Sequence, residues 1–136
     1  MTAESLGRSY FTKAKKRLKI LDLLISEEDY SDVVREAQEI VELALKGILR
    51  MIGVEPPKIH DVGHLILEYR DRLPSCVESS AERIAQISKW LRKEREFAFY
   101  GDIDLIPTEE YSLDDAKRAA NDAQFVVAQA QIVFEK

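Results

Sequence analysis

The run from Ser31 to Leu67 most restricts how this chain can fold: a long apolar stripe at helical spacing, stopped by two adjacent prolines. Val33, Val34, Ala37, Ile40, Val41, Ala44, Ile48, Met51 and Ile52 recur at steps of three and four, which lines one broad face of an α-helix. Leu43, Leu45 and Leu49 widen that face beyond what one neighbour can cover, so this helix belongs at the centre of the fold. Gly53 stands where a helix end favours a left-handed residue. Pro56 and Pro57 then hold off any restart until about Asp61.

The flanking segments carry the same period. Leu6, Tyr10, Ala14, Leu18, Leu21 and Ile25 form the stripe of a first helix over about Ala3 to Ile25. Ser26 followed by Asp29 resembles a capping box, which would start the central helix there. Asp61 suits the N-cap of a third helix carrying Val62, Leu65, Ile66 and Tyr69, closed before Pro74. A fourth begins within Ser75 to Ser80 and turns Val77, Ala81, Ile84, Ile87, Trp90 and Leu91 inward. After the breakers Gly101 and Pro107, Ser112 with Asp115 caps a fifth, narrow helix lined by Ala116, Ala119, Ala120, Ala123, Val127, Ala130 and Phe134. No useful stretch alternates with period two, so the expectation is all-α: an up-and-down bundle of four to five helices in one domain, 1–136.

The chain is long enough for a real core without staples, since a domain of this size buries about 68% of its unfolded surface. Cys76 is the lone cysteine, which excludes an intrachain disulfide and points to a reducing compartment. With no apolar leader-like run and no apolar stretch of membrane-spanning length, a cytoplasmic location and no membrane contact are expected. A net charge of −5 argues against a globally basic nucleic-acid binder, but the charge is uneven. Arg8, Lys13, Lys15, Lys16, Arg17 and Lys19 form a basic run without an acid, whereas Asp102 to Asp115 holds six acids and no base. The basic run reads first as a solvated helix face and second as a phosphate surface.

Two constellations could carry chemistry. His60 and His64 are the only histidines, and Glu68 would extend their face to a third metal ligand if His60 were helical. Asp61 as N-cap leaves His60 outside the helix, so hydrogen bonding at the double-proline turn is the favoured role and no metal is expected. The second is Trp90, Arg92, Lys93, Arg95, Phe97, Phe99, Tyr100 and Asp102, where cations interleave with aromatics as in sites that grip phosphates and stack bases. The bland alternative makes the aromatics core and the cations solvated. No phosphate-binding glycine loop and no nucleophile elbow is present, and the plentiful carboxylates single out no acid–base pair.

Taken in order, the segments REAQEIVELALKGILRMIGVEPPKIHDVGHLI, WLRKEREFAFYGD and SLDDAKRAANDAQFVVAQAQ resemble the HEPN domain (higher eukaryote and prokaryote nucleotide-binding). The resemblance spans nearly the whole chain and implies a bundle of four or five helices, usually a homodimer with a cleft at the subunit interface. It also implies, in many members, a metal-independent ribonuclease built on an Arg, a spacer of four to six residues and a His. Such members act as toxins, or beside a minimal nucleotidyltransferase encoded next to them. Arg95 best matches the Arg, but Tyr100, Gly101 and Asp102 occupy the His positions; counted from Arg92, they are Phe97, Ala98 and Phe99. The cleaving pair is therefore incomplete, and Tyr100, with an ordinary pKa of about 10, is a poor substitute.

Three functions follow. The first is a non-catalytic HEPN protein that binds nucleotide or RNA, or a partner nucleotidyltransferase as in a toxin–antitoxin pair, through Arg92, Arg95 and Tyr100, with the basic run as a secondary phosphate surface. The second is a ribonuclease with an atypical set, Arg95 with Tyr100, Asp102 or His64. The third is a structural interaction bundle. No cofactor is called for, and the missing His favours the first.

Overall fold

The structure is a computed structural model that describes residues 2–58, 61–100 and 111–135, without the side chains of 95–100. Every regular element among the described residues is helical: α1 (Ala3–Ser26), α2 (Tyr30–Met51), α3 (Val62–Glu68), a 3₁₀ turn (Arg70–Arg72), α4 (Ser75–Glu78), α5 (Ala81–Tyr100) and α6 (Leu113–Phe134).

The central position of α2 follows from its pattern. Val33, Val34, Ala37, Ile40, Ala44, Leu45, Ile48 and Leu49 are all fully buried, and α1, α5 and α6 all pack against it. Burying each large aliphatic side chain stabilises the fold by about 1.5–3 kcal/mol relative to leaving it in water. The alanines of α6 anticipated from spacing are buried, so its backbone comes close to α2.

The directions of the four long helices follow from their side-chain pairs. Gly7 faces Gly47 and Arg17 reaches Glu36, so α2 runs against α1. Phe11 stacks on Phe134 with ring centroids 4.9 Å apart, and Lys15 donates to Gln131 Oε1 at 3.1 Å, so α6 also runs against α1. Trp90 meets Asp122 while Arg83 lies over Phe125, so α5 runs against α6. The long helices thus alternate in direction as an up-and-down bundle, with α3 and α4 as short straps between α2 and α5.

The ends obey local chemistry. Ser112 and Asp115 form the reciprocal capping box at 2.9 and 3.1 Å, and Asp61 accepts from the Gly63 amide at 3.0 Å. Gly53 adopts φ +85°, the left-handed turn anticipated after α2. Two boundaries differ from the sequence reading. Ser26 belongs to α1, its Oγ bonding back to the Leu23 carbonyl at 2.7 Å, and α2 begins after Asp29, whose side chain makes no capping bond. The expected fourth helix is divided, because Ser79 and Ser80 interrupt it between α4 and α5. Both serine hydroxyls bond back to the Cys76 carbonyl, the local competition that makes serine a helix breaker.

One ion network locks α1 to α2. Arg17 donates to both carboxylate oxygens of Glu36, at 2.6 and 3.1 Å, and to Glu39 at 2.8 Å. Glu36 is 5% exposed, so its charge is tolerable only with this partner. The hydrogen bond to Glu36, more than the opposing cost of burial, raises the Arg17 pKa above its already high ordinary value.

Candidate functional site

A broad groove of about 780 Å³ lies between α3 and α5. Its walls repeat at helical spacing: His64, Leu67 and Glu68 on α3, and Glu82, Ala85, Gln86 and Lys89 on α5, with Asp61 and Arg70 at its ends. Close packing of the two helices forms the floor. A Cβ on Gly63 would lie 2.7 Å from Ser88 Cβ, so only glycine lets α3 sit this near α5. Asp61 fixes the mouth by holding the Gly63 amide and the Ser88 hydroxyl, the latter at 3.4 Å. A smaller recess of about 580 Å³ opens on the other side of His64, against Val54, Pro57, Leu65 and Tyr69.

The sequence candidates divide between this groove and the end of α5. His64 is exposed and borders both hollows. Arg92 is half-buried on α5, one turn past Lys89 of the groove wall. Arg95 lies one turn further along α5 and Tyr100 is its last residue; their side chains, with those of Phe97 and Phe99, lie outside the description. His60, Gly101 and Asp102 lie outside the described residues altogether. Among the described residues no three His, Cys, Asp or Glu side chains converge as metal ligands.

Trp90 is not a free stacking platform. Its Nε1 donates to Asp122 at 2.9 Å, and the Arg118 guanidinium lies 4.0 Å from the ring centroid, so α6 already occupies it. The bland reading therefore holds for Trp90. Glu94 is engaged too: the Tyr111 hydroxyl donates to its carbonyl at 3.2 Å, tying the entry of α6 to the last turns of α5. Sequence reasoning missed Gln86, Lys89, Arg70 and Glu82 as wall residues. The signal was present in the steps of three and four from Glu82 to Lys89, but the opposite wall was set by a Gly63–Ser88 contact that no local pattern encodes.

The HEPN domain profile matches residues 8–133, and the chain belongs to the HEPN family. No curated protein and no solved structure shows a significant match to it. Among the described residues no helix is long and apolar enough to cross a membrane.

Proposed function

We propose that this HEPN-domain protein is a cytoplasmic, homodimeric binder of nucleotide or RNA that holds phosphate without cutting it. Arg92 and Arg95, on consecutive turns of α5, would supply the charge, with Tyr100 at the same end, Asp102 two residues later in the sequence, and His64 across the α3–α5 groove. A guanidinium suits this role because its fork matches two phosphate oxygens and never loses its proton. The observation that carries the reading is the position of the histidines. The chain has only His60 and His64, both preceding α5, so neither can follow Arg92 or Arg95 at the family's spacing. Without an imidazole there, the family's group for taking the proton from a ribose 2′-hydroxyl and passing one to the leaving oxygen is missing from the sequence.

A minimal nucleotidyltransferase is the proposed protein partner, as in a toxin–antitoxin pair. A small nucleotidyltransferase encoded beside this chain and co-purifying with it would support that arm. The binding arm is tested by fluorescence anisotropy with labelled single-stranded RNA and with labelled nucleotide. Arg92→Ala and Arg95→Ala should each weaken binding at low salt while the RNA stays intact. Unchanged binding in both variants would remove these arginines from the reading.

A further inference from the structure

The basic run of α1 has a structural setting that its sequence does not show. Arg17 leaves it, because Glu36 and Glu39 of α2 take up its guanidinium. The others stay outside. Arg8, Lys13, Lys15, Lys16 and Lys19 are all exposed, and Arg8, Lys15 and Lys19 follow one another at steps of seven and four along one edge. Lys16 lies beside them, and Lys13 borders the α2 side of the same outer face. From Arg8 to Lys19 the row runs roughly 16 Å at about 1.5 Å per residue.

What surrounds the row matters more than its charge. α6 packs alongside and has no ionisable residue from Ala123 to Phe134; the first carboxylate beyond that stretch is the exposed Glu135 at its C-cap, which accepts from Gln131 Nε2 at 3.1 Å. The helix offers the row Gln131, which accepts from Lys15, and Phe134, whose ring lies 5.6 Å from the Arg8 guanidinium. On the α2 side, Glu36 and Glu39 are turned into the Arg17 network. Among the described residues the only carboxylate bridged to the row is Glu4, exposed and 3.5 Å from Arg8, a pairing that water largely screens. Lys13, Lys16 and Lys19 have no hydrogen bond or ion pair among the described residues. In a chain of net charge −5, a cationic face of this length, with the carboxylates of Glu4, Asp22 and Glu135 only at its ends, is a local attractor for a polyanion.

We propose that the outer face of α1 is a docking strip for the phosphodiester backbone of a single-stranded nucleic acid, with Arg8, Lys13, Lys15, Lys16 and Lys19 as its contacts. It rests on the reading above that the protein meets RNA, and adds a second surface on a different helix from Arg92 and Arg95. No aromatic ring stands open among these cations, since Tyr10 is covered by Arg50 at 5.5 Å, so the strip reads charge and not base identity. Lysine suits such a strip: a hydrated point charge on a flexible stem follows a moving backbone without demanding one geometry.

The test is anisotropy of a labelled 20-nucleotide RNA, and of DNA of the same sequence, on the full chain between 50 and 200 mM salt. Five phosphate contacts give a log–log slope of about −3.5, which is an affinity loss of about 130-fold over that range. The triple variant Lys13→Gln, Lys16→Gln, Lys19→Gln should weaken both probes at least about tenfold at 50 mM and flatten the slope to about −1.4, the share of Arg8 and Lys15. Lys117→Gln, an exposed charge on α6, should change neither by more than about twofold. Loss in the triple variant with Arg92→Ala and Arg95→Ala unaffected sustains the strip and refutes the α5 site. The reverse refutes the strip and sustains α5, and no binding of either probe refutes both. Competition by polyglutamate as strong as that by unlabelled RNA would overturn the nucleic-acid assignment. A fall in sedimenting mass of the triple variant, with RNA affinity kept, would make the strip a self-association face and overturn it too.

Discussion

Replacing Gly47 with alanine puts a methyl group where two helix backbones touch. The added Cβ would lie 2.9 Å from the Gly7 carbonyl oxygen, 3.4 Å from the Phe11 amide nitrogen and 3.5 Å from Cζ of Phe134. Its nearest obstacle is backbone, which cannot swing aside like a side-chain tip. The contact is reciprocal, since a Cβ on Gly7 would meet the Gly47 oxygen at 2.9 Å. Two terms oppose each other. Alanine gains about 1 kcal/mol over glycine in helix propensity, whereas overpacking a filled interface costs about 1–3 kcal/mol, at the upper end where both walls are main chain. The expected net loss is about 1–2 kcal/mol, or roughly 3–8 °C in melting temperature for a chain of this length. Urea unfolding followed by circular dichroism, at one fixed protein concentration, measures it. Gly7→Ala with Gly47→Ala should cost less than the sum of the singles, because helices already forced apart leave room for the second methyl. If Gly47→Ala unfolds at the wild-type midpoint or above it, propensity has won and the glycine-to-glycine crossing is wrong.

Three further outcomes follow from named contacts. Arg17→Met strands the buried Glu36 carboxylate and should cost about 2–3 kcal/mol in the same unfolding assay. Because the raised pKa of Arg17 lies beyond the neutral range, its contribution is fully present below the unfolded-state value, and that loss should be the same at pH 6 and pH 8. Asp61→Ala removes the cap of α3 and the Ser88 contact; about 1 kcal/mol should be lost, with faster hydrogen exchange at the Gly63 amide. Burial first, and then Asp32 beside it, raises the Asp29 pKa, so its folded form favours the proton. The stability this contributes is present below the ordinary carboxylate range and lost as pH rises through the raised value. Asp29→Asn should therefore gain on wild type in melting temperature from pH 4 to pH 7, and a gap that stays constant would refute the cause.

Much of the architecture was legible because it depends on local pattern. The stripe from Val33 to Ile52 demanded a central helix, and the Ser112–Asp115 pair marked the start of α6 to the residue. The alanine positions of α6 were legible for the same reason: burial on one helix face repeats at a fixed period. The α1–α2 turn was not. It is made by Glu28 at φ +59°, a residue type that gives no warning of a left-handed turn, while the Ser26–Asp29 spacing imitates a cap. The Gly7–Gly47 crossing and the Arg17–Glu36 lock join residues far apart in the chain, and no window contains both partners. The α3–α5 groove was half legible: its walls share helical faces, but its floor is tertiary. The loss of Trp90 as a stacking surface to Asp122 and Arg118 is of the same kind.

The central proposal is that this HEPN-domain chain, with no His four to six residues after Arg92 or Arg95, binds RNA without cutting it. Incubating the purified chain with end-labelled RNA in excess chelator, beside Arg95→Ala and a no-protein control, tests it on one denaturing gel. Full-length RNA at equal intensity in all three lanes is the predicted result. Shortened RNA in the wild-type lane, absent from the Arg95→Ala lane, would contradict it.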